Sequence, residues 1–195
     1  MNVLPIKHFY MMRHGETVAN AGGYVSGASE TCLTDKGRRQ AKAAGLLLAA
    51  FSERPKVIVH SALSRAKETT KILNESLHLP LREVSAIGER DLGDWTGYLV
   101  KEWLDLRKQG LSPPNGETSE AFEKRVMDSL CGIVDTGEAP VLIVTHAGVF
   151  RAFLHHYGQK TNRIENCHIF EFVPGKGTGL FPWEIRYHPL PAGLC

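Results

Sequence analysis

Two kinds of apolar pattern alternate along this chain. Short continuous runs read as strands: Ile6 to Met12, the β-branched Lys56 to His60, and Pro140 to Thr145, the clearest of them. Between and after them, helices are predicted over about Asp35 to Phe51, Leu63 to Leu77, Tyr98 to Lys108, Ser119 to Val134 and Ala147 to Tyr157. Thr34 stands as an N-cap for the first of these, and Ser61 or Ser64 opens the second. Pro55 closes the region after the first helix, and Pro113-Pro114-Asn115-Gly116 breaks the chain between the third and fourth. Leu81 to Ile87 reads as a further strand, and Ala21 to Glu30 as a Gly-rich loop. His168 to Val173 and Trp183 to Tyr187 flank Gly175-Lys176-Gly177-Thr178-Gly179, which predicts a hairpin.

Strands alternating with helices imply an α/β fold with a mostly parallel sheet covered on both faces, and the terminal hairpin adds an antiparallel pair. The 195 residues suffice for one well-buried domain, 1–195, and no segment resembles an interdomain linker. At 43% hydrophobic and 23% charged residues the composition is globular, and a net charge of +2 argues against nucleic acid or an acidic membrane as partner. An anionic partner must therefore be recognised locally. No run approaches the roughly 18 apolar residues of a membrane span. The N-terminus lacks a basic stretch followed by an apolar core. Cys32, Cys131, Cys167 and Cys195 are widely spaced without paired zinc spacing, so reduced thiols in a cytoplasmic protein are expected. No oligomeric state is implied.

Three predicted strand ends carry polar groups: Arg13 and His14 with the turn-permissive Gly15, then Ser61 to Arg65, then His146. In parallel neighbours all three sets would emerge on one edge of the sheet, where open α/β folds bind ligands. Arg65 and His146 each lie at the start of a helix, whose N–H groups and dipole favour an anion. Ala147 and Gly148 are small enough to let a ligand reach the backbone. Two guanidiniums, two imidazoles and a helix N-terminus suit a phosphoryl group, and one of the two histidines would attack phosphorus. Glu89, following a strand in a Gly-flanked loop, is the candidate acid for the departing alkoxide.

Arg13-His14-Gly15-Glu16-Thr17 with Asn20, Leu33-Thr34-Asp35-Lys36-Gly37, Ser61-Ala62-Leu63-Ser64-Arg65-Ala66, Glu89 with Gly93-Asp94-Trp95-Thr96-Gly97, Gly116-Glu117-Thr118 and Thr145-His146-Ala147-Gly148 together resemble the histidine phosphatase family of phosphoglycerate mutase-like enzymes. The likeness runs in order from about residue 7 to residue 173. It implies a three-layer α/β/α sandwich and a phosphomonoester hydrolase that needs no metal or other cofactor and acts on a small phosphorylated metabolite. It also implies His14 as the phosphorylated nucleophile, Arg13, Arg65 and His146 as holders of the phosphoryl group, and Glu89 as proton donor, then as base for water. Asn20 matches the family's side-chain amide near the phosphate.

Mutases of the family resemble one another in a Tyr three residues after the acid and an Arg pair before a proline-rich loop. The matching positions here read Leu92 and Gln109-Gly110-Leu111-Ser112, which favours hydrolysis over phosphoryl transfer to a sugar acid. A noncatalytic phospho-ligand binder is the alternative from another class. Three other patterns are weaker. Cys32 to Arg38 has Cys-x5-Arg spacing but no preceding strand. His155 and His156 are adjacent on a helix and point apart. Gly175 to Gly179 lacks the ending of a nucleotide loop. Substrate-reading loops are expected at Ala21 to Glu30, Leu92 to Leu99 and Leu111 to Thr118; Tyr24, Trp95 and Phe122 are candidates to line that outer pocket, with core packing the expectation for each.

Overall fold

The computed structural model describes residues 3–135, 137, 140–160, 164–175 and 180–191. Its centre is a six-stranded sheet: β1 (Phe9–Arg13), β2 (Val57–His60), β3 (Leu81–Glu83), β4 (Val141–Thr145), β5 (Ile169–Pro174) and β6 (Trp183–His188), in the order β3-β2-β4-β1-β5-β6. β3, β2, β4 and β1 run parallel, whereas β5 is antiparallel to β1 and β6 to β5. The predicted hairpin strands are thus a register-matched pair; residues 176–179 between them lie outside the described residues.

Around the sheet lie α1 (Val18–Gly22), α2 (Asp35–Ala49), α3 (Ser64–Asn74), α4 (Val100–Lys108), α5 (Ser119–Asp135) and α6 (Ala147–His156). Successive strand residues point to opposite faces, which sorts the apolar runs into two cores. Phe9, Met11, Val59 and Ile143 pack with Val126 and Leu130 of α5 and Phe150 and Phe153 of α6. Tyr10, Met12, Ile58 and Val144 pack with Ala44 and Leu48 of α2 and Leu73 of α3. The result is the three-layer α/β/α arrangement, with both sheet faces dry. Gly45 lets α2 and α3 close up, since a Cβ there would stand 2.4 Å from the Leu73 carbonyl oxygen.

Some boundaries differ from the sequence reading. β1 begins at Phe9, because Ile6 is exposed and the pairing with β4 starts at Phe9 opposite Val141. β3 is a short edge strand, and Ser85–Ile87 wind into a 3-10 turn rather than continuing it. α1 is an element the sequence reading did not contain, running from ahead of the Gly-rich loop into its first two residues; a reciprocal cap between Thr17 and Asn20 starts it, and Gly23 in the left-handed region (φ 72°) ends it.

Candidate active site

The order β2-β4-β1 brings three parallel strand ends side by side. His14 extends the ladder by one step, its N–H donating to the Thr145 carbonyl at 3.0 Å. The rings of His14 and His146 come to 5.1 Å between centroids, tilted by 56°. The structure therefore gathers Arg13, His14, Arg65 and His146 on one edge, and Glu89, Asn20, Ala147 and Gly148 line the same cleft.

Gly15 serves by close approach rather than by a positive φ. A Cβ on Gly15 would stand 2.5 Å from the Gly37 carbonyl oxygen, and one on Gly37 would stand 2.1 Å from that of Glu16. Two chain segments thus touch backbone to backbone. The Gly15 N–H is spent on Thr69 Oγ1 at 3.0 Å, so it is not offered to a ligand. Glu16 and Thr17, which the sequence left without roles, are supports. Glu16 accepts from Thr34 Oγ1 and pairs with Lys36, and its N–H donates to Gln40 Oε1. Thr17 caps α1.

His14 is buried, and its Nδ1 lies 2.8 Å from the Gly15 carbonyl oxygen. A carbonyl only accepts, so the ring proton sits on Nδ1 and Nε2 carries a free lone pair in the neutral imidazole. Burial, then the charges of Arg13 and Arg65, hold the ring's pKa well below 6.5, against the opposing pull of the Gly15 bond. His146 is depressed in the same way by burial and by His14, Arg65 and Arg13. Its Nε2 meets Ser61 Oγ at 2.8 Å, while its Nδ1 is buried without a partner.

The guanidiniums are fixed by carbonyls. Arg65 donates to Ser29 O at 2.8 Å and Gly27 O at 2.7 Å, and Arg13 to Ile164 O at 2.9 Å. Each keeps a buried, unpartnered Nε. Burial brings Arg13 down to about 10 while Glu89 pulls the other way, so it remains a cation at neutral pH. Asn20 Oδ1 accepts from the Thr17 N–H at 3.3 Å and from Asn166 Nδ2 at 3.2 Å, which turns the Asn20 amide protons outward from that pair.

Two backbone donors expected for a ligand are already engaged. The N–H of Ser64, opening α3, donates to Glu30 Oε2 at 3.0 Å. That of Gly148 donates to Glu89 Oε2 at 3.0 Å. The Gly148 N–H is thus committed to Glu89, and a Cβ on Gly148 would stand 1.9 Å from Glu89 Oε1. Glu89 Oε1 accepts a second bond, from the Arg90 N–H at 2.9 Å.

The cleft encloses about 1060 Å³. Beyond the strand ends its wall comes from Tyr24 to Gly27, Leu92, α4, the start of α5, α6 and Ile164 to Asn166, not from the Leu111 to Thr118 loop. Sequence reasoning missed Arg107 and Arg151 there, since exposed arginines on helices give no signal of convergence. Tyr24 and Phe122 line the cleft, Phe122 while largely buried, and Trp95 packs inside as expected. The weaker patterns find ordinary explanations. Thr34 Oγ1 accepts from the Gly37 N–H, Cys32 is exposed, and Arg38 bonds Glu68 and Asp35. His155 and His156 both meet Glu123, and no metal-ligand cluster occurs among the described residues. No helix among them is long and apolar enough to cross a membrane.

Buried cations and neutral imidazoles at the carboxyl edge of an α/β sheet make a phosphoryl-handling enzyme site. The chain belongs to the histidine phosphatase superfamily, whose branch 1 family model matches residues 9–174. It is 37% identical over 192 residues to a Bacillus subtilis (strain 168) protein described as uncharacterized phosphatase PhoE, covering 94% of this chain and 95% of that one. It is 32% identical over 160 residues to a metal-independent phosphoserine phosphatase of Arabidopsis thaliana, covering 75% and 67%. Among solved structures, Bacillus stearothermophilus YhfR has the same fold, with a TM-score of 0.79 at 23% identity over 96% of this chain and 99% of that one.

Proposed function

We propose that this chain hydrolyses a small phosphomonoester through a phosphohistidine on His14, with water as acceptor and without a metal. The observation that carries the reading is the ring of His14. Its Nδ1 is tied to Gly15, and burial, then the charges of Arg13 and Arg65, keep the ring neutral with Nε2 free. The phosphatase relatives support the reaction class, and residues 1–195 are read as one domain because β1 and β6 share its sheet.

In the first step Nε2 of His14 attacks phosphorus while the bond to the organic oxygen breaks. The electron pair leaves on that oxygen, which takes a proton from Glu89. In the second step Glu89 removes a proton from water as its oxygen attacks phosphorus; the P–N bond breaks and its pair returns to Nε2. Inorganic phosphate leaves. Arg13 and Arg65 offset the charge on the equatorial oxygens, the role metals play elsewhere. Ser61 Oγ, accepting from the Leu63 N–H, donates to His146 Nε2 and so leaves a proton on the unpartnered Nδ1 for a phosphate oxygen. The Asn20 amide and the Ala147 backbone complete the binding set.

An aryl phosphate and a panel of sugar phosphates, nucleotides, phosphoglycerates and phosphorylated cofactor precursors test the reading. Wild type should turn over at least one compound, and His14→Ala none. No turnover of any of them by well-folded wild type would overturn it.

A further inference from the structure

We propose that the substrate carries a second anionic group, a carboxylate or another phosphate, which Arg107 of α4 and Arg151 of α6 bind on the outer wall of the cleft. The inference rests on the phosphomonoester reading for the position of the first phosphate. Both side chains are exposed and line the same cleft as His14 and Glu89. Neither has a hydrogen bond or ion pair from its guanidinium to any described residue. Arg107 is nevertheless held, with its guanidinium carbon 4.9 Å over the Trp103 ring.

Three of the carboxylates around the cleft have hydrogen-bond or ion-pair partners other than these two arginines. Glu16 pairs with Lys36, Glu123 meets His155 and His156, and Glu89 accepts from the Arg90 and Gly148 N–H groups. Other groups of this wall are donors too. Arg90 is tied to Glu117 O and Ser119 Oγ, yet its Nη2 is buried without an acceptor, as is Trp103 Nε1. Burial and then Arg107 lower the pKa of Arg90; Arg151 is lowered by burial, pulled back up by the charge of Glu89, and lowered again by Arg107. A wall of unmatched donors and like charges is stabilised by an anion that binds there, and the planar guanidinium matches carboxylate or phosphate oxygens.

Calorimetric titration of the His14→Ala protein measures the preference without turnover. 3-Phosphoglycerate is compared with glycerol 3-phosphate, and fructose 1,6-bisphosphate with fructose 6-phosphate. At least one dianchored compound should bind about 10-fold or more tightly than its partner, and the pair that does so identifies the second group. Adding Arg151→Gln or Arg107→Gln to this protein should reduce that ratio by about 10-fold or more, the effect of losing a charge-assisted contact. Ratios near one in both pairs, or a ratio that both substitutions leave intact, would overturn the proposal. Failure of the wild type on the phosphate panel would instead remove the hydrolytic reading, and the binding ratio is read separately from it.

Discussion

Gly148 and Glu89 are fitted to one another, the Gly148 N–H donating to Oε2 at 3.0 Å while the space a Cβ would need is filled by Oε1. The obstruction is the end of a side chain, so Gly148→Ala displaces the Glu89 carboxyl, the proposed acid, and leaves the α6 backbone in place. Its kcat on alkyl phosphates should fall by about 10²-fold, within the usual range for general acid catalysis. The fall should be much smaller on an aryl phosphate, whose leaving group needs little protonation. Steady-state kinetics on both substrates check this, and equal losses would contradict it.

Glu89→Gln removes the proton itself and should cost about 10² to 10⁴ in kcat on alkyl phosphates. Because Gly148 acts through Glu89, adding Gly148→Ala to Glu89→Gln should cost little more. A double-mutant cycle reads the coupling, and full additivity would separate the two residues.

His14 and His146 are held neutral, with folded pKa values well below 6.5. The unfolded chain binds protons at these sites near 6.5, so as pH falls below that value it gains protons the folded state does not. Their contribution to stability is complete above about pH 6.5 and is lost progressively as pH falls toward the depressed values. Urea unfolding across this range should give a weaker acid-side loss in His14→Ala than in wild type. Identical slopes would contradict the burial of a neutral His14.

Gly37→Ala forces a Cβ to within 2.1 Å of a backbone oxygen, that of Glu16, which cannot turn aside. A loss of about 1–3 kcal/mol is expected, the usual cost of overpacking, together with reduced activity as residues 14–17 shift. Gly132, inside α5, has open space where its Cβ would be, and Gly132→Ala should stabilise by roughly 0.5–1 kcal/mol. Chemical denaturation of the two variants should move in opposite directions.

Chelation should leave the wild-type rate unchanged, since in the proposed mechanism Arg13 and Arg65 supply the positive charge on the transferred group. Loss of activity in EDTA that added metal restores would contradict this.

The strand runs and the helices α2, α5 and α6 were legible because apolar residues fix burial on both sheet faces, and the ordered motifs placed Arg13, His14 and His146 at strand ends, with Arg65 in the first turn of α3 and Glu89 beyond a 3-10 turn rather than directly after β3. What the sequence left hidden is mostly pairing between distant segments. Gly15 looked like a turn residue, but its neighbour across the gap is Gly37, which only the fold supplies. Gly148 looked open to ligand until Glu89 arrived from another loop. The capping box of α1 escaped notice because Asn20, in place of the usual Glu or Gln, closes it. Arg107 and Arg151 lie on two helices whose surfaces meet only across the cleft.

Transfer of label from a phosphate-labelled substrate to protein tests the central claim most directly. Rapid quenching of wild type under alkaline conditions should trap an acid-labile phosphohistidine at residue 14, and His14→Ala should carry no label. Label retained on His14→Ala, or wild-type turnover with none trapped at His14, would contradict the account.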